Sequence, residues 1–320
     1  MLRWDPGQKL NEDAALAYAG LLRSSTAEQT HQHRMTQEGL STGGAMEWHS
    51  KLRKVLPEPI QERLRRSLRP MITKRAIDKT WKAKAKELSA TWNGLHIHLG
   101  CGDQHYDWML NCDYRATRAT DVVMNCSNLA ILSDHSVSAV YSHAFFEHLY
   151  REQQLPLLVD CRRVLQNGAP LVFLGIPNFR AIAESYLRGD PGIAGIGEVF
   201  DLFHVYRYTH GSPEAQPHWW IEQLHKSLFD KEYLVSLLTM AGFRSWAIFS
   251  YCYVAEELPV NLGFCAWAQG PGSLERVRIP FYDIISPDKG VSVIDQRNCN
   301  EDVGRWIKTQ PKSDTIVVTA

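Results

Sequence analysis

The chain has 320 residues, 44% of them apolar, and balances 35 Lys and Arg against 35 Asp and Glu; it can bury a full core, as one domain of roughly 200 residues with appendages or as two. Its seven cysteines are odd in number, scattered and without a CxxC pair, which excludes a disulfide scaffold and argues against structural zinc. No apolar run of about 18 residues occurs and Met1 to Pro6 opens no signal-like stretch, so a soluble cytoplasmic protein is the expectation.

Residues 1–45 are polar, look helical only from Ala14 to Leu22, and read as a loosely packed arm. Residues 46–92 form a basic extension with a helical texture broken at Pro57, Pro59 and Pro70; between Met46 and Ala90 thirteen Lys and Arg face five Asp and Glu. Ile60, Leu64 and Leu68 give it an apolar stripe. We read it as packed or solvated helix that braces the main domain or supports a homo-oligomer. A polyanion or an anionic membrane surface is the alternative partner.

From residue 93 to 270 strands and helices alternate as in an open parallel sheet. The predicted strands are Leu95 to Leu99, Trp108 to Cys112, Asp121 to Met124, Ser138 to Ser142 and Pro170 to Ile176, with a helix from Leu149 to Leu165 closed by Asn167-Gly168. Residues 178–229 then form a substrate-side insertion, read as irregular, that holds His204, His210, His218, His225 and the pair Trp219-Trp220. Insertions beyond the carboxyl end of such a strand are where open sheets place substrate. Asp230 caps a predicted helix from Lys231 to Ala241. Arg244 to Val254 and Leu262 to Ala268 follow as an antiparallel pair at the sheet edge. Residues 271–320 read as an appendage with strand-like runs at Gly290 to Ile294 and Thr315 to Val318.

The most informative stretch is Leu95-His96-Ile97-His98-Leu99-Gly100-Cys101-Gly102-Asp103, an apolar strand running into a glycine turn, with Asp113 at the end of the next strand. Glycine permits a sharp turn and close backbone approach to a ligand. A third glycine for a pyrophosphate is missing, since Tyr106 stands there. Asp103 would repel a pyrophosphate and could pair with an ammonium. Asp113 is placed either to accept the two hydroxyls of a ribose or to cap the loop after its strand. Asn125 and Cys126, ending the third strand, read an adenine edge or simply make a turn. The pattern points to a nucleoside-containing cofactor.

Together with Glu147-His148-Leu149 and Arg163-Val164-Leu165-Gln166-Asn167-Gly168-Ala169, this order of motifs closely resembles class I S-adenosylmethionine-dependent methyltransferases of the broad methyltransferase-11/23 type, over roughly residues 93 to 269. Asn167 and Ala169 depart from the family's proline and second glycine. The resemblance implies a seven-stranded, mostly parallel Rossmann-like α/β sheet and S-adenosyl-L-methionine as cofactor. It implies that the loop Gly100, Cys101, Gly102 and Asp103 flanks the methionine part, that Asp113 holds the ribose, and that Asn125 or Cys126 lies near adenine. Tyr141, Ser142 and His143 would line the end of the fourth strand under the sulfonium and substrate. The short first crossover is familiar in that family.

Methyl transfer needs alignment and, for a hydroxyl acceptor, a base. His143 is the first candidate, against a packed role, and His204 the second. Glu147 and His148 read as structural or rim groups, and His225 as a substrate-side contact. The excursion histidines lack the one-turn spacing of a metal motif, so no metal is expected. The function implied is O-methylation of a small molecule or glycan, with nitrogen and carboxylate acceptors left open. The competitors are a catalytically silent cofactor-binding or protein-interaction relative, a nicotinamide oxidoreductase and a protein methyltransferase. No nucleic-acid module is visible.

Overall fold

The computed structural model describes residues 79–80, 82–84, 94–193, 196–211, 218–253, 256–269, 284–286, 289, 291–299, 302 and 305–306, with the side chains of 218–220 left aside. The expected arm, most of the basic extension and the run Thr315 to Val318 lie outside the described residues.

Among the described residues eight strands make one sheet: β1 (His96–Leu99), β2 (Leu110–Asp113), β3 (Val122–Val123), β4 (Ala139–His143), β5 (Pro170–Pro177), β6 (Ser245–Tyr251), β7 (Asn261–Trp267) and β8 (Val291–Arg297). Their spatial order is β3-β2-β1-β4-β5-β7-β6-β8. The pairs from β3 through β5 are parallel, whereas β7 runs antiparallel between β5 and β6. This is an open, Rossmann-like α/β fold with a mixed, mostly parallel sheet and one strand more than expected. The expectation of seven strands is corrected to eight, because part of the expected appendage pairs as β8 along β6. The β6–β7 pair is antiparallel as read, but β7 lies inside the sheet and β8 takes the edge.

Strand alternation sorts the core into two layers. Ile97, Leu99 and Val140 point to one face and pack with Leu157, Leu158 and Cys161 of α1 (Arg151–Val164) and Leu234, Leu237 and Leu238 of α4 (Lys231–Met240). Asp230 caps α4 through the Tyr233 N–H, as its place before the apolar run indicates. Tyr141, Val172, Phe249 and Trp267 point to the other face. There the connection from β1 to β2 has no helix, and its aromatic side chains fill the space a crossover helix would cover: Tyr106 and Trp108 are buried, with the Tyr106 ring 5.1 Å from His98 and 5.2 Å from Trp108.

The insertion is more regular than its sequence suggests. It contains α2 (Phe179–Arg188), capped by Asn178 and closed by Gly189 in the left-handed conformation, and α3 (Leu202–His210), capped by Asp201. Ile182, Ile193, Phe200 and Val260 give these pieces a small core of their own.

Candidate functional site

Open parallel sheets bind ligands outside the carboxyl ends of their strands, where the strand order reverses; here that point lies between β1 and β4. Gly100 (φ 67°) and Gly102 (φ 54°) fold the chain back over the end of β1. A Cβ at Gly100 would come within 2.6 Å of the Phe145 ring, so packing as well as backbone conformation demands glycine there. At Gly102 a Cβ would meet nothing nearer than Arg115 Nη2 at 3.9 Å, so the turn is open on that side. Asp113, buried at the end of β2, accepts from Gly102 N–H at 2.9 Å and from Arg115 N–H at 2.8 Å. An ionised carboxylate has about four acceptor sites. Two are used by these N–H groups, and Arg115 Nε lies 3.8 Å from Oδ1; the capacity beyond them is of the kind a vicinal diol requires.

The other residues of the expected cofactor set divide by where their side chains go. The Cys101 thiol lies 3.7 Å from Thr120 Oγ1 and 3.8 Å from Gly102 O, and burial pushes its pKa up to about 11. Asp103 is exposed on the turn. Asn125 is exposed and closes a turn, accepting from Ser127 N–H at 3.0 Å and Ser127 Oγ at 2.8 Å. The Cys126 thiol is buried next to the Gly100 backbone, and burial raises its pKa. Tyr141 is buried against His98 in the second core layer, with ring centroids 5.0 Å apart. Ser142 donates to Leu99 O at 2.9 Å and ties β4 to β1.

Asn111 in β2 fixes the loop, and the sequence reading passed over it. Fully buried, it accepts from Tyr106 N–H (3.1 Å) and donates to Tyr106 O (3.0 Å), Met109 O (3.1 Å) and Asp121 Oδ2 (2.8 Å). Its Oδ1 also lies 3.2 Å from His98 Nδ1. Asp121 in turn pairs with Lys84. A lone amide inside an apolar strand, followed by a glycine-free return, was the available signal.

At the ends of β4 and β5 a second constellation forms. His143 Nε2 lies 3.2 Å from Tyr253 Oη, and Gly175 N–H donates to Tyr251 Oη at 2.7 Å. Gly175 (φ 79°) sits where β5 slips register against β7, and a Cβ there would strike Ala144 N at 2.6 Å and Tyr253 Oη at 2.9 Å. Burial lowers the His143 pKa to about 4, so the ring is neutral near pH 7. This group can accept a proton.

His204, the second base candidate, is fully buried with both ring nitrogens engaged: Ile193 N–H donates to Nε2 at 3.1 Å, and Nδ1 lies 2.8 Å from Asp201 Oδ1. It completes the cap of α3 and is structural. Tyr208 also turns inward, donating to Glu256.

His225 reaches across to the start of the segment before α1. Its ring centroid lies 5.1 Å from that of His148, and one ligating atom from each of Glu147, His148 and His225 falls within 4.8 Å of the others. Burial raises Glu147 to about 8 and lowers His148 to about 4, the latter helped by the neighbouring His225 and opposed by the Leu224 and Ala144 carbonyls. Spacing within the insertion could not reveal this group, because its members come from two distant segments.

No family model and no curated protein sequence matches the chain. Solved structures similar to it include an S-adenosylmethionine-dependent methyltransferase from Archaeoglobus fulgidus, 15% identical over 64% of this chain and 97% of that one, with a TM-score of 0.37. Another, from Mesorhizobium loti, is 16% identical over 60% of this chain and 97% of that one, again at 0.37. A possible histamine N-methyltransferase from Thermotoga maritima is 11% identical over 64% and 96%, at 0.35. Similarity this remote assigns no activity.

Proposed function

We propose that the chain is an S-adenosylmethionine-dependent methyltransferase that methylates a hydroxyl of a small molecule or glycan. The observation that carries the reading is the joining of Gly102 and Asp113 by a 2.9 Å hydrogen bond at the carboxyl ends of two adjacent parallel strands, beside the point where strand order reverses. The donor set fits such a cofactor. Gly100 and Gly102 offer a turn without side chains for its amino-acid part, and Asp113 keeps acceptor capacity for its ribose hydroxyls. Cys101, Tyr141 and Ser142 contribute backbone only, since their side chains are spent on packing and strand ties. Asn125 and Cys126 flank the adenine end, and exposed Asp103 faces the ammonium.

When bound, the cofactor supplies a methyl group on a sulfonium, an excellent leaving group. The protein's own task is alignment and proton removal. His143, neutral and hydrogen-bonded to Tyr253, stands at the end of β4 to take the acceptor's proton. A weak base suffices, because the hydroxyl becomes acidic only as its oxygen bonds to carbon. The insertion forms the acceptor side.

Calorimetric titration with S-adenosylmethionine, S-adenosylhomocysteine and NAD tests the reading. Binding of the first two and not the third is expected; tight binding of NAD alone overturns it. Binding of the sulfonium with no methyl transfer across a broad acceptor panel favours the silent relative.

A further inference from the structure

We infer that Glu147, His148 and His225 form a binding site for a divalent transition-metal ion. Three observations carry this, and none depends on the methyltransferase reading.

The first is the chemistry of the set. Two imidazoles and one carboxylate are the ligands of three-coordinate protein sites that leave a further position open, and borderline ions such as zinc prefer them. Their ligating atoms lie within 4.8 Å of one another. In a tetrahedral site with metal–ligand distances near 2.0–2.2 Å, ligand atoms sit ~3.5 Å apart. Side-chain adjustments of about an ångström therefore close the site around an ion.

The second is the orientation of the rings. His148 Nδ1 lies 3.2 Å from Leu224 O, and His225 Nδ1 lies 2.7 Å from Tyr208 O. A carbonyl only accepts, so each Nδ1 carries its hydrogen and each neutral ring presents the Nε2 lone pair. Metal-ligating histidines are held in the same way, with the remote N–H donated to a carbonyl or carboxylate. The backbone around them is tied as well, since Lys226 N–H donates to Glu147 O at 2.8 Å.

The third is a carboxylate with an unmet need. Glu147 is 1% exposed, and its Oε2 has no hydrogen-bond partner. Its Oε1 lies 3.7 Å from His148 Nε2, too long for a hydrogen bond. A buried carboxylate is costly unless paired or metal-bound, and the nearby Lys226 ammonium is directed to Glu222 Oε2 at 3.0 Å. A cation between Glu147 and the two imidazoles satisfies all three groups. With His148 and His225 partly exposed, its fourth position opens toward solvent.

The test is titration of the full chain, freed of metal by a chelator, with zinc chloride, followed by X-ray absorption at the zinc edge. One equivalent is expected to bind with micromolar or tighter affinity, in a shell of nitrogen and oxygen at about 2.0–2.2 Å. His225→Ala is expected to weaken binding roughly 100-fold or more, since loss of a mere supporting contact already costs 10–100-fold. A sulfur shell near ~2.3 Å would assign the metal to cysteine and overturn the inference. So would the absence of stoichiometric zinc binding, or an unchanged affinity in a folded His225→Ala protein. The absorption measurement uses the unaltered chain, so it decides the matter even if the variant does not fold.

Discussion

Replacing Asn111 by alanine tests how the short β1–β2 connection is held. The amide is fully buried and bridges the Tyr106 N–H and C=O, the Met109 carbonyl and the Asp121 carboxylate at 2.8–3.1 Å. Alanine cannot make these bonds. Tyr106 N–H loses its acceptor, two carbonyls lose a donor, and Asp121 keeps only the Asn111 backbone N–H and Lys84. Each buried polar group stranded costs about 1–3 kcal/mol, and shared partners make the costs less than additive. A loss of about 3–5 kcal/mol is expected, a large part of the stability of a typical domain. For a domain of this size that lowers the melting temperature by roughly 10 °C. Urea denaturation followed by circular dichroism measures it, and calorimetry with S-adenosylhomocysteine measures the consequence for the loop carrying Gly102. A destabilisation below about 1 kcal/mol would refute the reasoning, because water would then be replacing the lost hydrogen bonds.

Asp113→Ala is expected to weaken S-adenosylhomocysteine about 10–100-fold in calorimetry, as two charge-assisted hydrogen bonds to the ribose and the tether to Gly102 disappear; unchanged affinity would remove the ribose assignment. His143→Ala is expected to lower kcat about 100-fold or more with cofactor affinity nearly unchanged, and unaltered turnover would exclude it as base. Burial holds His96 near 4 and His98 near 3 in the folded chain, below the ordinary 6.5. Each therefore supports the fold fully above pH 6.5, and that support is lost as pH falls toward 4. Between pH 7 and pH 5 the expected loss is about 1–2 kcal/mol per histidine, read from urea midpoints; His98→Gln should flatten the slope, and an identical slope would contradict the assignment.

Much of this molecule is written in local pattern. The apolar runs of β1, β4 and β5, the glycine turn after Leu99, the acidic end of β2 and the Asp230 cap are each specified by a few neighbouring residues, and all stand close to where the sequence put them. The insertion was read as irregular although both of its helices are amphipathic: α2 and α3 are short, each buries only two residues, and Leu187 and Leu202 stay exposed. Their caps were visible nonetheless: Asn178 and Gly189 bracket α2, and Asp201 accepts from the Phe203 and His204 N–H groups at the start of α3. β8 was half-legible, since an edge strand with one wet face alternates weakly. The meeting of His148 with His225, and of His143 with Tyr253, depends on how far-apart segments converge at the strand ends, which no local window contains.

The decisive measurement is a crystal structure of the chain with S-adenosylhomocysteine. The ribose hydroxyls should lie within hydrogen-bonding distance of Asp113, with the amino-acid end over Gly100 and Gly102. A nucleoside bound elsewhere, or an Asp113 carboxylate bonded to protein partners alone, would contradict the proposed site.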